Sequence, residues 1–187
     1  MSEQISKRLH WIGVNNPEGR DFHGISTPRG GSYNSYLLSD EYPTLIDGTH
    51  QRFLDGYLES LKEVMNPQGI KYIIINHAEP DHSGALNELV SLTGATIVCT
   101  EKCRELLEAM GIAAEFRTVG NNEEMSIGSL TLRFIMDPMV HWPETMMTSV
   151  PEEKVLFSGD LYGTEIAHEA LFADEMEDFS ELSRDYF

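Results

Sequence analysis

Cysteine is scarce in this chain. Cys99 and Cys103 are the only two among 187 residues, and they form no CxxC pair. A disulfide framework is therefore not expected. The apolar run 95–98 leads straight into Cys99, so a small buried hydrophobe is the better reading than a ligand. Long apolar runs are missing too. No stretch nears the about 20 residues that a membrane-spanning helix needs, and no signal-like segment opens the chain. A reduced, cytoplasmic setting is the expectation. Positive charge is the third scarcity: 13 Lys and Arg stand against 31 Asp and Glu, a formal net charge of −18. Nucleic acid and anionic membranes would repel such a chain, so neither is an expected partner.

What is present is ordinary globular material. Hydrophobic residues make up 41% and charged residues 24%, enough for one domain, 1–187, with a sizeable core. There is no internal repeat and no low-complexity tract. Residues 32–39 and 44–46 read as adjacent strands joined by a turn at 40–43. Phe53, Leu54, Tyr57, Leu58, Leu61 and Val64 recur at helical spacing, which predicts a helix over 51–65. A strand over 72–75, a helix over 84–92, a strand over 96–99 and a helix over 101–110 follow. A short strand at 115–119 comes next, then a hairpin of 125–127 with 130–136, and strands at 146–150 and 155–157. The acidic stretch 173–187 has helical character. This order predicts an α/β sandwich with helices outside two sheets.

The chemistry concentrates in six residues, His77, Ala78, Glu79, Pro80, Asp81 and His82. Four of their side chains can bind a metal ion. They follow the β-branched run Ile73, Ile74 and Ile75 after the single residue Asn76, and a helical pattern begins after them. Ligands between the carboxyl end of a strand and the start of a helix lie where α/β sheets place their chemistry. Two imidazoles and two carboxylates suit iron, manganese or zinc better than copper(I) or an iron–sulfur cluster. His141, Asp160 and His168 are further candidates on later loops. Alone, a loop His or Asp is more often a turn former, and an Asx-type turn after Ser158 and Gly159 is equally natural for Asp160. The cluster at 77–82 raises the weight of His141 and Asp160 as co-ligands.

Taken together, these segments resemble the metallo-β-lactamase fold and, within it, the flavodiiron proteins. The residues that carry the resemblance are Trp11 to Val14, Phe22 to Gly24, Thr27 to Gly30, Ser32 to Leu37, Asp47, the 77–82 cluster, His141 to Pro143 and Phe157 to Asp160. Glu79 stands where the metal hydrolases of that fold carry His. The resemblance implies an αββα sandwich and two iron ions. The first would be bound by His77, Glu79 and His141, and the second by Asp81, with His82 either a ligand or turned aside. Asp160 would bridge them. His23 matches a position near the open side, where it could hydrogen-bond bound gas. The implied activity is reduction of O2 to water or of NO to nitrous oxide.

Two departures from the family pattern shape the expectation. The family has one more His on the second metal, well downstream of Asp160, and this sequence ends at Phe187 without it; His168 comes too soon to match. The sandwich is thus expected to be C-terminally incomplete, and uncovered edges favour a homo-oligomer. No flavodoxin-like domain follows either, so FMN would sit on a partner or missing domain, and a separate flavoprotein or rubredoxin-like donor would supply electrons. Water or a neighbouring chain could complete the second site. A gas-binding sensor without turnover and a zinc hydrolase are the alternative functions, with zinc a possible substitute for iron.

Overall fold

Strands covered on both faces read as near-continuous apolar runs, and three short stretches in this chain, 44–46, 72–75 and 96–99, have that character. In the computed structural model, which describes residues 2–22, 24–177 and 179–182, all three lie at the centre of one sheet. The chain opens with β1 (Glu3–Gln4), β2 (Leu9–Trp11), β3 (Val14–Asn16), β4 (Asp21–Phe22), β5 (Ile25–Ser26) and β6 (Gly31–Tyr33). β7 (Tyr36–Leu38) and β8 (Thr44–Ile46) lead into α1 (Leu54–Val64) and β9 (Tyr72–Ile74). Then come α2 (Pro80–Ser83), α3 (Leu86–Thr93), β10 (Thr96–Cys99), α4 (Glu101–Ala109) and β11 (Phe116–Thr118). β12 (Glu124–Ser126), β13 (Thr131–Met136), β14 (Met146–Val150), β15 (Val155–Phe157) and α5 (Phe179–Leu182) complete the described elements.

Seven strands form the larger sheet in the order β1-β2-β7-β8-β9-β10-β11, and β12 to β15 form a second sheet in sequence order. β8, β9, β10 and β11 pair in parallel, whereas β1, β2, β7 and β8 pair antiparallel. Each parallel step is spanned by a helix, as crossover connections require. Alternation then sorts the side chains. Leu37, Leu45, Ile73 and Ile97 point into a core shared with Tyr57, Leu61, Leu86, Leu89 and Leu107 of the helices. Their neighbours Leu38, Ile46, Ile74 and Val98 point the other way, into a core shared with Leu132, Phe134, Met146 and Val150 of the second sheet. The layers therefore run helices, sheet, sheet. Arg133 and Leu156 on the far side of the second sheet are exposed.

Most predicted elements are present, with three differences. The strand expected over 32–39 is split: β6 pairs with β3 in a small separate sheet, while β7 joins the large one. Asn34 and Ser35 turn the chain between them, and the buried Ser35 hydroxyl donates to the Asp47 carbonyl at 2.8 Å. The helix expected over 84–92 is preceded by a separate turn of helix, α2, so Asp81 and His82 are already helical. Pro80 at its first position needs no backbone donor and carries a helix-ready φ. A Cβ on Gly84 would lie 2.5 Å from the Pro80 carbonyl and 3.1 Å from the Gln51 amide, so α2 packs against 50–51 only with glycine there. Of the expected helical stretch 173–187, a 3-10 turn at Ala173–Glu175 and α5 are described; 183–187 lie outside the described residues.

Candidate metal centre

Two strand ends and two loops converge. β8 leads into Asp47, β9 leads through Asn76 into the 77–82 segment, His141 lies on the loop between β13 and β14, and Asp160 lies just after β15. Asp47 sits at φ 55°, a left-handed conformation that Asp tolerates better than most residues. Its carboxylate accepts from the Asn76 amide N–H at 2.8 Å and from Asn76 Nδ2 at 3.1 Å. Thr148 Oγ1 donates to Asn76 Oδ1 at 2.7 Å, which ties the second sheet to the end of β9.

The expected ligands form two groups that share Asp160. His77, Glu79, His141 and Asp160 bring one donor atom each within 4.8 Å of one another, and Asp81, His82 and Asp160 do the same. In the first group His77 Nε2 lies 3.0 Å from Glu79 Oε2 and 3.2 Å from His141 Nε2. His141 Nε2 is 3.2 Å from Asp160 Oδ2. In the second, His82 Nε2 lies 2.9 Å from Asp160 Oδ1 and 3.2 Å from Asp81 Oδ2. The His82 ring therefore faces into the second group rather than away from it. On its other side, His82 Nδ1 lies 3.7 Å from Asp47 Oδ2.

Two observations make this donor set fit cations. Asp81 Oδ1 is buried and has no hydrogen-bond partner, and an orphaned carboxylate oxygen is costly without a positive charge beside it. Two imidazole nitrogens facing each other across carboxylates are equally costly, unless a proton or a metal stands between them. In the protein alone, protons take that place. Burial opposes charge on His77, but Glu144 and Glu79 outweigh it and lift its pKa to about 9. Burial likewise opposes charge on His82, while Asp81, Asp160 and Asp47 raise it well above its ordinary value. Burial disfavours the Asp160 carboxylate, yet His82, His77 and His141 hold it far below the usual range.

The centre is open along one side. His77 and His82 are buried, whereas the His141 side chain is 50% exposed. A cleft of about 320 Å³ borders the second group and is walled by Tyr33, Tyr36, Phe157, Asp81, His82 and Asp160. Burial, with the Asp47 charge nearby, pushes the Tyr36 phenol up to about 12, so it stays protonated at neutral pH.

Other candidates fall elsewhere. His168 is in neither group: its Nδ1 accepts from the Ala170 amide at 2.9 Å, and it lines a separate cavity of about 180 Å³ with Asn15, Tyr162 and Met176. His23 lies outside the described residues. Cys99 and Cys103 are free and fully buried. Sequence reasoning missed Glu144. Its Oε1 accepts from His77 Nδ1 at 2.8 Å and from the Ala78 amide at 3.0 Å. Burial works against its charge, but the His77 and Ala78 donors bring its pKa below the ordinary value. A Glu three residues after a candidate ligand was the only signal, and a turn glutamate gives the same one.

Comparison with known proteins agrees with this fold. Residues 32–186 match the family model described as ODP family beta lactamase. The anaerobic nitric oxide reductase flavorubredoxin of Salmonella arizonae is 39% identical over 183 residues, which cover 95% of this chain and 38% of that protein. The crystal structure of the flavodiiron protein from Giardia intestinalis superposes with a TM-score of 0.95 at 36% identity, covering 100% of this chain and 47% of the other. For rubredoxin oxygen:oxidoreductase from Desulfovibrio gigas the TM-score is 0.96 at 31% identity, with 100% and 48% covered. The chain spans about half the length, or less, of these proteins.

Proposed function

This chain belongs to the ODP family of beta-lactamase domains, with the fold of flavodiiron cores, and from that membership we propose that it is the metal-holding domain of an oxidoreductase that reduces O2 or NO. The single observation that carries the proposal is the pair of ligand groups sharing Asp160, with Glu79 in the first. Relatives named as a nitric oxide reductase flavorubredoxin and as a rubredoxin oxygen:oxidoreductase support the reaction class and an external flavin- or rubredoxin-type donor.

In this reading His77, Glu79 and His141 would hold one iron and Asp81 and His82 the other, with Asp160 common to both ligand groups. Iron held there would supply the redox chemistry, passing to a diatomic gas the electrons that the external donor delivers. The chain's own groups set the conditions. Glu79, Asp81 and Asp160 are hard oxygen donors, which favour iron over the softer preferences of an all-nitrogen site. Their negative charges offset most of that of the cations, so the buried site needs little further compensation. Asp47 faces His82 Nδ1 and steadies the ring while Nε2 points into the site. The apolar walls from Phe157 and Tyr33 limit water, and the protonated Tyr36 is a hydrogen-bond donor at the rim of the cleft. The exposed edge at His141 is where a donor can come closest.

Elemental analysis of protein purified without air tests the metal reading: one iron for each ligand group is expected. The iron-loaded protein with a reduced flavoprotein should then consume NO or O2. Zinc content together with hydrolysis of model esters would replace the proposal by a hydrolase. A spectral change on gas binding without consumption would leave a sensor.

A further inference from the structure

Glu144 belongs to neither ligand group, yet it is only 2% exposed, less than Glu79 at 8% or Asp47 at 4%. An isolated buried carboxylate is expensive unless charge or hydrogen bonds meet it. Its partners are few. One oxygen takes both the His77 Nδ1 and the Ala78 amide contacts, and the other, Oε2, is buried without a hydrogen-bond partner. Among the described residues, no Lys or Arg forms an ion pair with it.

The direction of the His77 contact follows from chemistry. A carboxylate only accepts, so Nδ1 carries the hydrogen and donates. The neutral ring then has its lone pair on Nε2, which is the atom that faces Glu79, His141 and Asp160. The backbone around Glu144 is anchored as well. Its carbonyl accepts from Thr100 Oγ1 at 3.0 Å, and the Met146 amide donates to the Asn76 carbonyl at 3.0 Å. The connection between β13 and β14 thus presents His141 to the centre and, three residues later, grips the ring of His77.

On the metal-centre reading above, we infer that Glu144 is a positioning residue that locks His77 in the Nδ1–H tautomer and raises the affinity of the first ligand group for a divalent ion. It touches neither ion nor gas. It couples two ligands from distant segments, so the His141 loop and the His77 segment come into register together. Partners of this kind are worth about 10–100-fold in metal affinity when removed.

The test uses the full chain with zinc as a diamagnetic probe, comparing wild type, Glu144→Gln and Glu144→Ala. Zinc affinity is read by chelator competition, and the His77 ring by ¹⁵N chemical shifts. Glu144→Ala is expected to lose about 10–100-fold in affinity and the single Nδ1–H signature of His77. Glu144→Gln keeps the shape and an acceptor oxygen, so it should retain the tautomer and recover part of the affinity. It also decides the matter if the alanine variant does not fold. Fully wild-type zinc affinity in Glu144→Gln, or wild-type affinity with an unchanged His77 signature in a folded Glu144→Ala, would overturn the inference. Failure of the wild type itself to bind zinc would overturn the metal-centre reading instead.

Discussion

At the scale of single residues, His77 is caught between two carboxylates, with Glu144 at Nδ1 and Glu79 at Nε2. In the metal-free chain this arrangement favours the imidazolium, with a pKa near 9 against an ordinary 6.5. A raised folded-state pKa stabilises below the unfolded value and loses that contribution as pH rises through the folded one. Urea unfolding of chelator-treated protein is therefore expected to give constant stability from this group below 6.5, declining toward about 9. A metal ion must displace the same proton, so zinc affinity should run the opposite way and strengthen with pH over that window. A flat pair of profiles would mean that His77 is not the group in question. Substitutions separate the candidates: His77→Ala or Glu79→Ala should lose most metal by elemental analysis, whereas His168→Ala should keep it. His141 and Asp160 could not be told from turn formers one at a time. Their assignment as candidates depended on the dense cluster at 77–82.

At the scale of elements, the site hangs on how α2 leaves β9. The β-branched run ending at Ile75 made the strand legible, and the apolar spacing of 53–64 made α1 legible, because both patterns report burial on a fixed period. The separate turn α2 was not legible, since four residues are too few for a period to appear. Its packing rests on close backbone approaches. The Gly48 amide donates to the His82 carbonyl at 2.9 Å, and a Cβ on Gly48 would come within 2.7 Å of that oxygen. Gly48→Ala is therefore expected to push α2 outward, costing about 1–3 kcal/mol in urea unfolding. It should weaken metal binding at the Asp81 and His82 group more than at the His77 group. Equal loss at both groups would argue for general unfolding rather than a local shift.

At the scale of the whole molecule, 31 acidic residues leave the surface strongly negative, and several of them crowd around one centre. Cations that bind the folded form alone stabilise it by mass action. Calorimetry with zinc or ferrous iron at about 100 times the dissociation constant should show a gain of about 2.7 kcal/mol. Chelator should reverse it. No shift would mean that the unfolded chain binds as well, or that the centre does not bind. No helix among the described residues is long and apolar enough to cross a membrane. The expected homo-oligomer stays a proposal that sedimentation velocity can check.

By itself the sequence determined the element types, the strand-to-helix address of the chemistry, and the ligand types, because burial pattern and donor hardness are local properties of residues. It also carried enough of the family's segments to specify the fold. The resemblance already implied a shared Asp160, but only the tertiary structure decided that His82 faces inward onto it and that Glu144 rather than a nearer residue holds His77. Those contacts join positions 67 and 78 residues apart. They form only when two sheets stack and bring the ends of β8 and β9 against the loops at β14 and β15, and no periodicity along the chain records that distance.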